Sequence, residues 1–253
     1  MLKNGTYHVP FYDLTVTLAN GSYSNGSSTD PYSVQMLDLA AFGDLNGDGI
    51  SDAAILLVEN GGGTGQFESI IPVLDSGGTP VQAGESQLGD RVRINAIQID
   101  SGRITLDMLV QGPNDGMCCP SLPETQTYRL AGNKFWLTRL TTRTPDKRER
   151  SINIDTPADN AEVNNPFTIH GSVPIAPFEN SLACRIFLLD GTSVNESPLM
   201  VDSGGSMGGP GSFSKEVDLS YAGITGPVII QFLDLSPADG TTLALGSIFL
   251  TLH

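Results

Sequence analysis

Polar and apolar residues alternate through Arg91-Val92-Arg93-Ile94-Asn95-Ala96-Ile97-Gln98-Ile99, the two-residue period of a half-buried strand. Asp100-Ser101-Gly102 then predicts a tight turn into an apolar-alternating run from Arg103 to Val110. The short, continuously apolar Ala53–Val58 reads as a fully buried strand. The same signals place strands at Leu14–Leu18, Phe67–Leu74, Thr125–Leu130 and Phe135–Leu140. Ser33–Leu39 fits either a helical turn or a strand. From Ile152 onward seven short runs are expected as strands: Ile152–Ile154, Phe167–Val173, Leu182–Leu189, Leu199–Ser203, Phe213–Leu219, Val228–Leu235 and Leu243–Leu252. About seven strands in roughly a hundred residues is the pattern of an immunoglobulin-like sandwich. Long helical periodicities are missing, so the chain reads as all-β: an N-terminal antiparallel β domain followed by a C-terminal sandwich.

Composition narrows the role. The net charge of −15 leaves little Lys or Arg to neutralise phosphates, which argues against nucleic acid and against basic adhesion to anionic lipid. No apolar run approaches the roughly 20 residues that span a bilayer. Met1-Leu2-Lys3-Asn4-Gly5 leads directly into polar sequence without a signal-peptide pattern. Together with high Ser, Thr, Asn and Gly content, this leads us to expect the mature part of a bacterial protein secreted or lipid-anchored at the cell surface. Thr142–Ser151 holds four basic residues against two acids and separates two acidic segments. It is expected to be a solvated linker at 142–151 between domains at 1–141 and 152–253.

The densest chemistry lies in Asp44-Leu45-Asn46-Gly47-Asp48-Gly49-Ile50-Ser51-Asp52. Side-chain oxygens fall at the first, third, fifth and ninth positions, and the Ile50 carbonyl is available at the seventh. Ca²⁺ takes hard oxygen donors at about 2.3–2.6 Å, and Gly49 permits the turn that folds them around one point. An EF-hand needs Glu at the twelfth position, where this chain has Ile55, and needs flanking helices instead of a buried strand. With Ala41-Phe42-Gly43 before it, the loop resembles the integrin-type FG-GAP calcium loop. That resemblance implies structural Ca²⁺ held by Asp44, Asn46, Asp48 and Asp52 through side chains and by Ile50 through its carbonyl. The plain alternative is an Asp/Asn/Gly turn closing a hairpin. One such loop without a fixed repeat does not make a propeller.

Other motifs carry less. Gly61-Gly62-Gly63-Thr64-Gly65 lacks the Gly-Lys-Ser/Thr ending of a phosphate cradle and reads as a hairpin connection. Cys118 and Cys119 are adjacent; a vicinal disulfide, a pairing of one with Cys184, or reduced thiols are all open. His8, His170 and His253 lie in no recognisable catalytic context.

Several runs of the C-terminal half belong together: Thr156–Val163, Asn165-Pro166, His170-Gly171, Phe178-Glu179-Asn180-Ser181-Leu182, Cys184-Arg185-Ile186 and Asp190-Gly191. Gly211-Ser212-Phe213, Gly226-Pro227-Val228 and Ser236-Pro237-Ala238-Asp239-Gly240 follow. In this order they resemble the immunoglobulin-like domain associated with bacterial spore-germination proteins, often attached to envelope lipoproteins. The resemblance implies fold and location and transfers no catalytic residue.

The expected function is therefore an extracytoplasmic binding or scaffold protein, without catalysis, stabilised by Ca²⁺ and engaging an unknown protein or cell-wall polymer. A hydrolase of wall polymer or glycan, using paired carboxylates from Asp100, Asp107 or Asp115, is the competing reading. An inhibitor of a cell-wall lytic enzyme is a third, since a small acidic β domain suits a cationic target.

Overall fold

The computed structural model describes residues 1–206 and 208–253, and the fold is all-β. Among the described residues, helical structure is limited to short 3-10 turns at Leu2–Asn4, Phe178–Asn180 and Ser220–Ala222. The chain divides into two compact units, Met1–Trp136 and Leu137–His253, with the division inside the strand Lys134–Arg143.

In the first unit the strand Asp52–Asn60 is central, antiparallel to Ser33–Gly43 on one side and Phe67–Ser76 on the other. Ser33–Gly43 is thus a strand, and a register shift between Met36 and Ala40 explains its irregular pattern. Ala53, Ile55 and Leu57 face one core with Tyr7, Val9, Val34, Ile71 and Val73. Ala54 and Leu56, of opposite parity, are also fully buried, so the strand reads as a continuous apolar run and not as an alternation. Thr79–Gln82 and Ser86–Asp90 both pair with Phe67–Ser76. Arg93–Asp100, Arg103–Val110 and Leu122–Ala131 continue as an antiparallel meander. The first of these begins at Arg93 because Arg91 turns left-handed at φ 54°, its guanidinium 2.6 Å from Asp90.

The second unit is a sandwich. One sheet orders Asn153–Thr156, Phe167–Val173 and Gly211–Val217. The other contains Ser193–Met200, Ser181–Leu188, Gly226–Leu235 and Thr242–Leu252, paired in that order. Leu182, Cys184 and Ile186 alternate inward to meet Ile169, Phe213, Val228, Ile230 and Phe232 between the sheets. The expected strand at Leu199–Ser203 begins earlier, at Ser193, and ends at Met200. Val201 N–H still bonds the Asn180 carbonyl at 2.8 Å in the same register, and beyond it Asp202 pairs with Ser212 instead.

Residues 142–151 form a paired turn. Thr142 and Arg143 pair with Arg150 and Glu149, and Asp146 bonds Arg148 Nε at 2.8 Å. Arg150 reaches the buried Asp234 at 2.7 Å. The run is therefore paired at both ends, Arg148 and Arg150 have carboxylate partners, and Arg143 and Lys147 are exposed.

Candidate metal centre

The loop from Asp44 to Asp52 joins the strands Ser33–Gly43 and Asp52–Asn60, so its two ends are fixed by the ladder that pairs Gly43 with Asp52. Gly47 and Gly49 adopt φ of 83° and 81°, a left-handed conformation in which a side chain is strained. These two turns point successive N–H groups inward. Asp44 Oδ1 accepts Gly47 N–H at 2.6 Å and Oδ2 accepts Gly49 N–H at 2.9 Å. Asp48 Oδ1 accepts Ile50 N–H at 2.7 Å, and Asn46 Oδ1 accepts Asp48 N–H at 3.0 Å. The Asn46 amide donates to Asp48 Oδ2 at 2.9 Å. Hydrogen bonds from Gly49 and Gly47 hold the Asp44 carboxyl below the usual carboxylate range.

Asp52 stands apart. It is 1% exposed, accepting Leu45 N–H at 2.8 Å through Oδ2 and Asp75 N–H at 2.9 Å through Oδ1. Its side chain ties the loop to the neighbouring strand Phe67–Ser76. The structure thus gathers Asp44, Asn46 and Asp48 in one exposed turn and sets Asp52 beneath it. Ile50 projects its side chain to solvent, at 45% exposure. Among the described residues no three His, Cys, Asp or Glu side chains converge as a metal-holding group. The donor chemistry nevertheless suits a hard cation. All are oxygens, and a carboxylate has about four lone-pair sites, so accepting two N–H bonds leaves acceptor capacity.

The other candidates sort into structural roles. Asp115 caps its own loop, accepting Gly112 N–H and Ser121 N–H at 2.7 Å, which lowers its pKa. Asp107 accepts Thr125 Oγ1–H at 2.7 Å on an exposed face, and Asp100 accepts Ser101 Oγ–H at 3.3 Å. The glycine run is explained by close approach. A Cβ on Gly61 would collide with Tyr12 Oη, and one on Gly65 would meet the Phe67 ring at 2.9 Å. The adjacent cysteines are resolved as a Cys118–Cys119 disulfide, and Cys184 is a free buried thiol pushed up to about 11 by desolvation.

The sequence reading missed four buried carboxylates. Glu59, fully buried, accepts Phe11 N–H at 2.9 Å, Tyr12 N–H at 3.0 Å and Tyr32 O–H at 3.0 Å. Glu124 lies on the inward face of its strand with Gln126 and Tyr128; Gln126 donates to it at 2.6 Å, and Ser86 completes the chain at Tyr128. Burial pushes Glu124 up to about 7, and does the same to Glu68. Asp234 is held by Arg150. Strand parity is the available signal: Glu59 shares the face of Ala53, Ile55 and Leu57.

The protein is thus a two-unit all-β chain whose second unit is an immunoglobulin-like sandwich. Residues 151–241 match the family Gmad2, the immunoglobulin-like domain of bacterial spore germination. The match lies wholly within the second unit. No curated protein matches the chain. No helix of the described residues is long and apolar enough to cross a membrane.

Proposed function

We propose that this is a non-catalytic binding or scaffold protein of the bacterial cell envelope, with an N-terminal β unit stabilised by Ca²⁺. The observation that carries the reading is the match of residues 151–241 to an immunoglobulin-like domain, a module whose core is closed and apolar. Such a sandwich serves as a rigid platform, and its partner is an unknown protein or wall polymer.

Calcium is assigned to the loop by its donor set. Asp44, Asn46 and Asp48 would supply side-chain oxygens from the exposed turn, Ile50 its carbonyl, and Asp52 an oxygen from below. The ion would supply positive charge among three carboxylates that otherwise repel. The chain's own part is to pre-shape the loop, through the left-handed Gly47 and Gly49 and the anchoring of Asp52 to Leu45 and Asp75. Thermal melts in EDTA and then with Ca²⁺ or Mg²⁺ test this. Ligand at a hundred times its dissociation constant stabilises by about 2.7 kcal/mol, a shift of several degrees. A calcium-selective rise supports the assignment; identical melts, with no metal found in the purified protein, overturn it.

Hydrolysis of a wall polymer is the competing reading, and one observation favours it. Glu68 and Glu124 are raised to about 7 and so keep a substantial protonated fraction near neutrality, as a general acid must. Both nevertheless are buried, with little solvent access. Turnover of purified wall polymer, lost in Glu124→Gln, would establish it.

A further inference from the structure

Two runs singled out by their resemblance to the immunoglobulin-like family lie more than fifty residues apart, yet meet on one surface. Phe178, Glu179, Ser181 and Leu182 form one wall of a groove of about 500 Å³, and Ser236, Pro237 and Gly240 form the other. Its floor is the outer face of the larger sheet. Pro198, Ala183 and Leu233 stand in direct cross-strand register there, and the row continues to Leu245 and Leu140. Outward-facing sheet positions are ordinarily polar in a sandwich. Leu233, Leu245 and Leu140 are buried as a small cluster with Leu137 and Leu235, so the apolar surface left open in the groove is that of Ala183, Pro198 and Phe178.

The walls are built in advance. Glu179 and Asn180 are consecutive left-handed residues, at φ 53° and 54°. Such backbone is costly in non-glycine residues and concentrates at ligand clamps. Asn180 N–H bonds the Pro177 carbonyl at 3.0 Å and its own carbonyl takes Val201 N–H at 2.8 Å, which leaves the Phe178 ring 58% exposed. Opposite, Ser236 N–H bonds Thr241 O at 2.8 Å and Gly240 N–H bonds Ser236 O at 2.9 Å, fixing Pro237. A preformed cleft does not pay the ordering cost that weakens a mobile one.

Charge and backbone then select the occupant. Among the described residues lining the groove, Glu179 and Glu196 are the charged ones, and none is Lys or Arg. Glu196 is ion-paired with Arg185 at 3.2 Å, while Glu179 is fully at the surface. The adjoining edge strand Ser193–Met200 carries Pro198, which has no N–H and so discourages strand addition. The geometry points to a docking site for a peptide segment of a partner protein that seats one apolar side chain on Ala183, Pro198 and Phe178 and sets a Lys or Arg beside Glu179. This deepens the proposed binding role and rests on it.

The test uses the full-length, isotope-labelled chain and amidated hexapeptides with a central Leu or Phe flanked by Lys or Arg. Peptides with Glu for the basic residues, and chitotetraose, serve as comparison probes. The basic peptides should shift amide resonances of 178–183, 196–200 and 233–240, and the acidic peptides should not. Phe178→Ala should weaken binding about tenfold. Glu179→Lys should weaken the basic peptides about threefold and reverse the charge preference. Both positions are exposed, so the fold is retained and an unchanged spectrum elsewhere verifies it. Shifts mapping outside the groove, shifts with chitotetraose alone, or no shifts at millimolar peptide would each overturn the site. Peptide shifts mapping outside the groove overturn this site while leaving a binding role in place, so failure here is distinguishable from failure of the scaffold reading.

Discussion

Asp44 and Asp52 carry the same side chain eight residues apart, and their surroundings make opposite predictions. Asp44 sits on an open turn and accepts two glycine N–H groups, so Asp44→Ala costs little in EDTA but should abolish any calcium-dependent rise in Tm. Asp52 is buried and satisfies the backbone of both Leu45 and Asp75. Asp52→Ala leaves two donors without an acceptor, and a buried unsatisfied group costs about 1–3 kcal/mol. It should therefore lower Tm with and without metal, as urea melts in EDTA would show. An Asp52→Ala variant as stable as the parent in EDTA would remove Asp52 from its anchoring role. Glu59 is the larger case of the same kind. It serves three donors from two segments, and Glu59→Ala should destabilise by about 3 kcal/mol or more.

Among the elements, the hairpin loop between Arg103–Val110 and Leu122–Ala131 yields a chemical prediction. It carries the Cys118–Cys119 disulfide at the surface, while Cys184 lies inward on Ser181–Leu188 with its thiol raised to about 11. Only thiolates alkylate readily. Native protein should take no alkyl group, reduced native protein two, at Cys118 and Cys119, and reduced unfolded protein three. Mass analysis of each state reads this directly, and labelling of Cys184 in the native state would contradict its burial. The elements were also the part most legible in the sequence. Period-two alternation gave strands near Arg91–Ile99 and Arg103–Val110, and the apolar run Ala53–Val58 gave the central strand, because burial on one or two faces writes itself into spacing. Ser33–Gly43 escaped because its register shift breaks the period. The calcium-type loop was legible through oxygen spacing, whereas the Asp52–Asp75 bond, the Glu59 clamp and the groove join residues far apart in the chain. No local pattern encodes a partner 23, 47 or more than fifty residues away.

For the whole molecule, the shifted groups set how stability follows pH. Glu124 and Glu68 have folded pKa values near 7, above the value of about 4.3 they take in an unfolded chain. Between these limits the folded state binds more protons than the unfolded state, so stability falls as pH rises from about 4.5 to 7. His8 acts in the same direction. Its bonds to Asp13 and Glu85 raise its pKa, and the stability it contributes at low pH is lost as pH rises through that value. Carboxyls such as Asp44, Asp115 and Asp239 are shifted down by hydrogen bonds, chiefly from Gly49, Gly112 and Ser236 respectively, and act oppositely. What they contribute is present above about pH 4 and lost as pH falls through their folded pKa values. The two sets cross on the acidic side of neutrality. Urea melts should therefore give maximal stability near pH 5, with a decline of several kcal/mol toward pH 8. Glu124→Gln keeps the shape of the side chain and cannot ionise, so it should flatten the neutral limb while leaving the acid limb intact. A profile that rises from pH 5 to 8, or a Glu124→Gln profile parallel to the parent, would show that Glu124 is ionised in the folded protein and that its burial is relieved by solvent.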